Sequence, residues 1–170
     1  MSELILVRHG QSIWNLQNRF TGWYDVDLSD NGLSEAKKAG ELLEKKNIRI
    51  DFAYTSYLKR ANSTLKIILE NMKLENIGFT KSWEFNERHY GSLTGLNKSE
   101  MKEQLGEEKI KIYRRSWDIA PPELSEDSEF NPRNDIIYQG INLDAIPNTE
   151  SLKDTYDRVI PYFNINIRPK

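Results

Sequence analysis

The stretch Leu4-Ile5-Leu6-Val7-Arg8-His9-Gly10 decides how the chain is read. Four apolar residues in a row stop at an arginine, a histidine and a glycine. An unbroken apolar run, rather than an alternating one, is the pattern of a strand covered on both faces of a parallel sheet. The polar residues that end it then lie at the strand's carboxyl end, where α/β folds bind their ligands. The expectation is a first strand at residues 4–7 that delivers Arg8, His9 and Gly10 to a site.

The rest of the chain keeps this rhythm. Residues 52–55 and 78–81 are further strand candidates. Between the first two strands, Ser29-Asp30-Asn31-Gly32 opens a helix through Lys45 or Lys46, with Ala36, Ala39, Leu42 and Leu43 on one side. Leu58, Ala61, Leu65, Ile68, Leu69 and Met72 recur at three- and four-residue steps, the mark of an amphipathic helix. Strand, helix, strand, helix, strand predicts an α/β fold with a mainly parallel sheet and flanking helices, in a single domain over residues 1–170. Residues 11–28 and 83–95 read as long, aromatic and polar loops, which in compact domains are usually functional. Two helical pieces flank Gly106. Residues 119–147 hold four prolines and read as an irregular, lid-like insertion. A last helix starts near Glu150 or Ser151. Leu152, Tyr156, Val159, Ile160, Phe163 and Ile167 give it an apolar face, with a kink expected at Pro161.

Composition narrows the function. The chain has 170 residues, no cysteine, two histidines and a formal net charge of -2. A chain of this length builds a core without staples. The lack of cysteine excludes disulfide scaffolds, zinc–cysteine sites and thiol nucleophiles, and two histidines do not make a His-rich metal site. A charge near zero argues against general nucleic-acid binding. The N-terminus lacks the basic and apolar regions of a signal peptide, and no apolar stretch approaches the about 18 residues of a membrane span. The reading is a soluble, cytoplasmic protein.

Several residues can carry chemistry. A neutral imidazole attacks phosphorus and holds the phosphoryl group covalently, so His9 is a candidate nucleophile. The bland alternative is a histidine at a strand end that bonds a carbonyl. Arg8 beside it can grip phosphate oxygens with its planar fork, and Gly10 lets the backbone come close to a ligand. Arg60 falls at a helix start, where anions are favoured; alone it also reads as a solvated surface residue. Glu87-Arg88-His89-Tyr90 crowds an acid, two potential cations and a phenol into four positions, which suits a general acid or merely a hydrogen-bonded turn. Arg114 and Arg115 end a helix, as the dipole favours. Lys98 starts one, where a cation is out of place without an anionic ligand nearby. Six basic residues around one candidate nucleophile point to a multiply anionic, phosphorylated small molecule.

Taken together, LVRHGQSIWNLQNRFTGWYDVDLSDNG, YTSYLKRA, FNERHYG, GLNKSE, YRRS, PPEL and ESLKDT resemble the cofactor-dependent phosphoglycerate mutases of the histidine phosphatase superfamily. The resemblance runs over nearly the whole chain in one register. It implies that superfamily's fold and the interconversion of 3-phosphoglycerate and 2-phosphoglycerate. It implies 2,3-bisphosphoglycerate as the priming cofactor and no metal. Position by position, it makes His9 the phosphohistidine nucleophile. Arg8 and Arg60 become ligands of the transferring phosphoryl group, and Glu87 the proton donor and acceptor. Gly10, Gln11, Ser12 and Asn15 line the pocket with Arg8 and His9, joined by Thr21 and Gly22. Arg88, His89, Tyr90, Lys98, Arg114 and Arg115 hold the carboxylate and the second phosphate. The insertion and its neighbouring helices would keep water from the phosphohistidine. Members of the family are commonly dimers or tetramers.

Two departures stand out. Many members carry Glu where this chain has Gln11, a tolerable isostere. Members also continue past the last helix into a strand ending in a second His-Gly-Asn segment, whereas this sequence ends at Ile167-Arg168-Pro169-Lys170. The fold expectation is therefore a C-terminally incomplete version of the family's, with a gap beside the first strand. Two other functions compete with the mutase: a phosphatase of the same superfamily, told apart by release of inorganic phosphate, and a non-catalytic binder of phosphorylated ligands. The expected outcome for the 170-residue chain is a strongly reduced mutase rate; a rate within about tenfold of a full-length relative overturns it.

Overall fold

Several helix N-termini in this chain are set by side chains that accept from the first orphan amides. Ser29 accepts from the Gly32 amide and starts a long helix, and Asn97 and Ser151 do the same for two later ones. The computed structural model describes residues 3–169. Its helices are α1 (Ile13–Leu16), α2 (Asp30–Lys45), α3 (Lys59–Asn71), α4 (Lys98–Leu105), α5 (Glu107–Arg115) and α6 (Leu152–Asn166). Two strands, β1 (Ala53–Thr55) and β2 (Phe79–Lys81), pair in parallel with Ala53 opposite Phe79 and Thr55 opposite Lys81. Contacts divide the chain into two compact units. One holds the segment up to Leu16 together with Asp25–Asn86. The other holds Gln17–Tyr24 and the chain from Glu87 onward.

The first unit is an α/β arrangement, as the strand–helix–strand rhythm predicts: β1, α3 and β2 form a βαβ crossover. Helix α2 packs on α3. Its buried stripe is Gly32, Ala36 and Gly40, not the expected leucines; Leu42 is exposed. The reason is distance. A Cβ at Gly40 would sit 2.8 Å from Asn71 Cβ and 3.0 Å from the Ile68 carbonyl oxygen, so only small residues let the helices come this close.

Residues 4–7 depart from expectation. They form no strand; Leu4, Leu6 and Val7 are exposed, Leu6 by 84%. A strand read as covered on both faces needs backbone partners to satisfy its own amides and carbonyls. Among the described residues the ladder consists of β1 and β2, and no bridge reaches residues 4–7. The segment from Gln11 to Leu28 is also more ordered than its sequence suggests. It contains α1, and an antiparallel bridge joins Ser12 to Leu28.

The second unit is built around Phe20, Leu93, Met101 and Ile110, with Tyr90 and Tyr113 packed against them. Phe20 is held from both sides of its backbone, donating to the Leu96 carbonyl at 3.0 Å and accepting from the Gly95 amide at 2.8 Å. Gly106, at φ 87°, ends α4 and begins α5. The Pro-rich stretch is irregular, as expected. It holds three single 3-10 turns (Pro132–Asn134, Ile136–Tyr138, Leu143–Ala145), each capped by an Asn or Asp. Helix α6 begins with a capping box between Ser151 and Asp154 and continues through Pro161 to Asn166. Among the described residues, no helix is long and apolar enough to cross a membrane.

Two glycines of the first unit, Gly10 and Gly32, lie very close to neighbouring main chain. A Cβ on Gly32 would fall 2.1 Å from the Gln11 carbonyl oxygen, and one on Gly10 would fall 2.3 Å from the Gly32 carbonyl oxygen. Gly32→Ala should therefore destabilise the protein by about 1–3 kcal/mol through overpacking, although alanine is the better helix former. Gly78→Ala, where a Cβ meets nothing within 4 Å, should be near neutral. Denaturant titration of the two variants checks this.

Candidate active site

His9 lies in the first unit. His9 follows the exposed Arg8 and is half-buried. Its Nδ1 is 2.7 Å from the Gly10 carbonyl oxygen. A carbonyl only accepts, so Nδ1 carries the proton and the neutral ring presents Nε2 as its basic nitrogen. The carbonyl bond that looked like the bland alternative thus fixes the tautomer a nucleophile needs. The Gly10 amide donates to Thr64 Oγ1 at 3.1 Å, and Thr64 Oγ1 donates to the Arg60 carbonyl at 2.8 Å. This relay ties the histidine's neighbour to α3 one turn beyond Arg60. Arg60, the second residue of α3, is fully buried rather than a solvated surface residue.

The family resemblance implies that Gln11, Ser12 and Asn15 line the same pocket. Ser12 is fully buried. Its amide donates to Asn15 Oδ1 at 3.2 Å, and the Asn15 amide donates to Ser12 Oγ at 3.1 Å, a reciprocal pair that closes α1. Gln11 Oε1 accepts from Ser29 Oγ at 2.9 Å, which ties the segment after His9 to the start of α2. The Gln11 amide donates to Glu35 Oε2 at 2.7 Å.

The second unit gathers the Glu87–Tyr90 segment with Thr21 and Gly22. Gly22, at φ 59°, lies so close that a Cβ would be 3.2 Å from both the Arg88 carbonyl oxygen and the Tyr90 amide nitrogen. His89 is fully buried. Its Nδ1 accepts from the Gly91 amide at 2.9 Å, so the neutral ring carries its proton on Nε2. Burial, and then the charge of Arg158, lowers the His89 pKa from 6.5 to about 4. His89 is therefore a neutral donor near pH 7. Arg88 Nη2 donates to the Arg114 carbonyl at 2.8 Å, and its guanidinium lies 5.0 Å from the centre of the Tyr90 ring. Arg88 Nη1, His89 Nε2 and Thr21 Oγ1 are buried and have no hydrogen-bond partner in the protein. Each buried polar group left unsatisfied costs about 1–3 kcal/mol, which an anionic ligand accepting from it offsets.

Lys98 is positioned differently from its sequence hint. It opens α4, and its Nζ donates to the Arg19 carbonyl at 2.5 Å and lies 5.5 Å from the Phe20 ring centre. A main-chain carbonyl thus takes up this cation at the helix start. Arg114 is half-buried and Arg115 exposed.

Three residues at the centre of these networks were not singled out as site residues. Thr64 lies one helical turn after Arg60 on the same face of α3, a spacing that could have flagged it. Glu150 and Arg158 form a buried bidentate ion pair, with Arg158 Nε 2.6 Å from Glu150 Oε1 and Nη2 2.8 Å from Oε2. Glu150 Oε2 also accepts from the His89 amide at 2.8 Å.

Comparison with known proteins places these features in a family. The model of the histidine phosphatase superfamily (branch 1) matches residues 4–135. A 2,3-bisphosphoglycerate-dependent phosphoglycerate mutase of Parabacteroides distasonis is 53% identical over 169 residues, covering 99% of this chain and 68% of its own length. One from Nautilia profundicola is also 53% identical, over 99% of this chain and 74% of its own. Among solved structures, a mycobacterial glucosyl-3-phosphoglycerate phosphatase matches in fold at a TM-score of 0.70 and 21% identity, over 95% of this chain and 63% of its own. The phosphoglycerate mutase of Bacillus anthracis matches at 0.56 and 24% identity, over 64% of this chain and 49% of its own. The chain spans only part of the length of these relatives. By its matched residues and its identity to curated relatives over almost its whole length, it belongs to the 2,3-bisphosphoglycerate-dependent phosphoglycerate mutase family of the histidine phosphatase superfamily.

Proposed function

We propose that this protein interconverts 3-phosphoglycerate and 2-phosphoglycerate in the cytoplasm, through a phosphohistidine at His9 primed by 2,3-bisphosphoglycerate. The observation that carries the reading is the buried donor set of Arg88 Nη1, His89 Nε2 and Thr21 Oγ1, which has no acceptor within the protein. A cationic donor, a neutral donor and a hydroxyl suit the phosphate and carboxylate oxygens of a small bisphosphorylated acid. The same set fits 2,3-bisphosphoglycerate, which as primer supplies the phosphoryl group that first loads His9.

The chemistry follows from residue types. His9 Nε2 attacks phosphorus in line and the phosphorus–oxygen bond breaks, while Glu87 supplies a proton to the departing hydroxyl oxygen. In the second step Glu87 takes the proton of the accepting hydroxyl as that oxygen attacks the phosphohistidine. Arg8 and Arg60 stabilise the equatorial oxygens of the transferring group. Cations beyond Arg8 and Arg60 favour the mutase over a phosphatase, because a reaction that must retain a charged intermediate needs more grip than one that releases phosphate.

A phosphorus NMR time course tests this, with 3-phosphoglycerate and catalytic 2,3-bisphosphoglycerate. The expected result is growth of 2-phosphoglycerate that His9→Ala abolishes. Growth of inorganic phosphate alone, or equal growth in His9→Ala, overturns it.

The neutral His89 donor has its own signature. Its folded-state pKa of about 4 lies below the unfolded 6.5. As pH falls through 6.5 the unfolded chain takes up a proton that the folded protein refuses until about pH 4. Stability complete above pH 6.5 should therefore erode towards pH 4 by about 3 kcal/mol from this group. Chemical denaturation at pH 7, 5.5 and 4.5 should show this slope, and His89→Gln should flatten it; an unchanged slope counts against a buried neutral His89.

A further inference from the structure

The Glu150–Arg158 pair is nearly inaccessible, with side chains 3% and 10% exposed. Burying two charges is costly even when they pair well, and apolar replacements of such pairs are often neutral or stabilising. A pair kept in such a place calls for a role beyond stability, and its hydrogen bonds point to one. The Glu150 carboxylate accepts from the His89 amide at 2.8 Å, and the Glu150 amide donates to the His89 carbonyl at 3.0 Å. Arg158 Nη2 donates to the Glu87 carbonyl at 3.4 Å. The pair therefore holds the main chain at both Glu87 and His89. The Arg158 guanidinium lies 5.4 Å from the centre of the Trp23 ring, and Trp23 stacks on Tyr138 at 5.1 Å. Tyr138 comes from the Pro-rich insertion, and its hydroxyl donates to the Trp23 carbonyl at 3.3 Å.

We propose that Glu150 and Arg158 are positioning residues for the Glu87–His89 segment, holding the Glu87 carboxyl group and the His89 Nε2–H in fixed relation through their main chain. This rests on the mutase reading, in which Glu87 moves the proton and His89 grips the ligand. The fork geometry is essential: one guanidinium spans both carboxylate oxygens and still reaches the Glu87 carbonyl, which a lysine ammonium does not reproduce. Proton transfer and ligand grip depend on placement to a fraction of an ångström, so loosening the segment lowers both without removing any reacting group.

The test uses the double variant Glu150→Gln/Arg158→Met and the single variant Arg158→Lys. The double variant leaves no unpaired buried charge and keeps an amide oxygen for the His89 amide. Arg158→Lys keeps the charge balance and loses the fork. If the pair serves stability alone, the double variant folds and binds 3-phosphoglycerate as the parent does. On the positioning proposal it melts close to the parent, binds 3-phosphoglycerate about tenfold or more weakly by calorimetry, and broadens the His89 ring resonance. Arg158→Lys should show the same weakening and broadening, so that a double variant that fails to fold leaves the test standing. Affinity within about twofold of the parent with an unbroadened His89 resonance, in either folded variant, overturns the proposal. If the parent itself binds no 3-phosphoglycerate, the mutase reading fails. The ligand-free His89 resonance then decides the positioning proposal alone: broadening in the variants supports it, an unchanged line overturns it.

Discussion

A carboxylate taken out of water must be answered by donors, and in this protein that demand shapes much of the second unit. Glu150 receives three hydrogen bonds, two from Arg158 and one from the His89 amide. Buried carboxylates persist only when paired and bonded in this way. Because the donors come from a helix and from the Glu87–Tyr90 segment, satisfying one side chain fixes two separate stretches of backbone. The capping box of α6 begins at the next residue, Ser151, so the helix that carries Arg158 starts where the carboxylate sits.

The first unit meets its constraint by a different route. There the close approach is between backbones, Gly10 against Gly32, and Gly32 against Gln11, and it excludes side chains rather than demanding them. The Gly10 amide, drawn to Thr64, and Ser29, bonded to both the oxygens of Gln11, hold the segment around His9 from α3 on one side and α2 on the other. With no side chains at Gly10 and Gly32, the main chain after His9 lies directly against the start of α2, and the Gly10 carbonyl accepts from His9 Nδ1.

Much of this was legible in the sequence. Helix α2 is signalled by its Ser-Asp-Asn-Gly opening, α3 and α6 by their periodicity, β1 and β2 by their place in the strand–helix–strand rhythm, and the insertion by its prolines. His9, Arg8, Arg60 and the Glu87–Tyr90 cluster stand out in the sequence as motifs. What failed did so for physical reasons. Residues 4–7 have the composition of a buried strand, but composition does not supply the neighbouring backbone that makes one. The leucines of α2 fit an amphipathic pattern, yet the helix buries Gly32, Ala36 and Gly40 instead, because α3 at Gly40 and the Gln11 main chain at Gly32 come too close for larger groups. Glu150 sits inside the ESLKDT stretch and still hid its role. Its partners lie eight residues ahead and sixty-one behind, and no local period links them.

The capping box at Ser151 has a consequence for how this sequence can vary in length. It fixes where α6 begins, and Arg158 lies seven residues into the helix counted from that cap. Each residue of an α-helix turns the next by about 100°. One residue gained or lost between Ser151 and Arg158 would swing the guanidinium about a quarter of the way round the helix and off its carboxylate. The stretch before the cap is counted less strictly: Tyr138 anchors it on Trp23, but its three 3-10 turns are each closed by a local Asn or Asp. Insertions and deletions among relatives should therefore gather before residue 147 and stop at the cap.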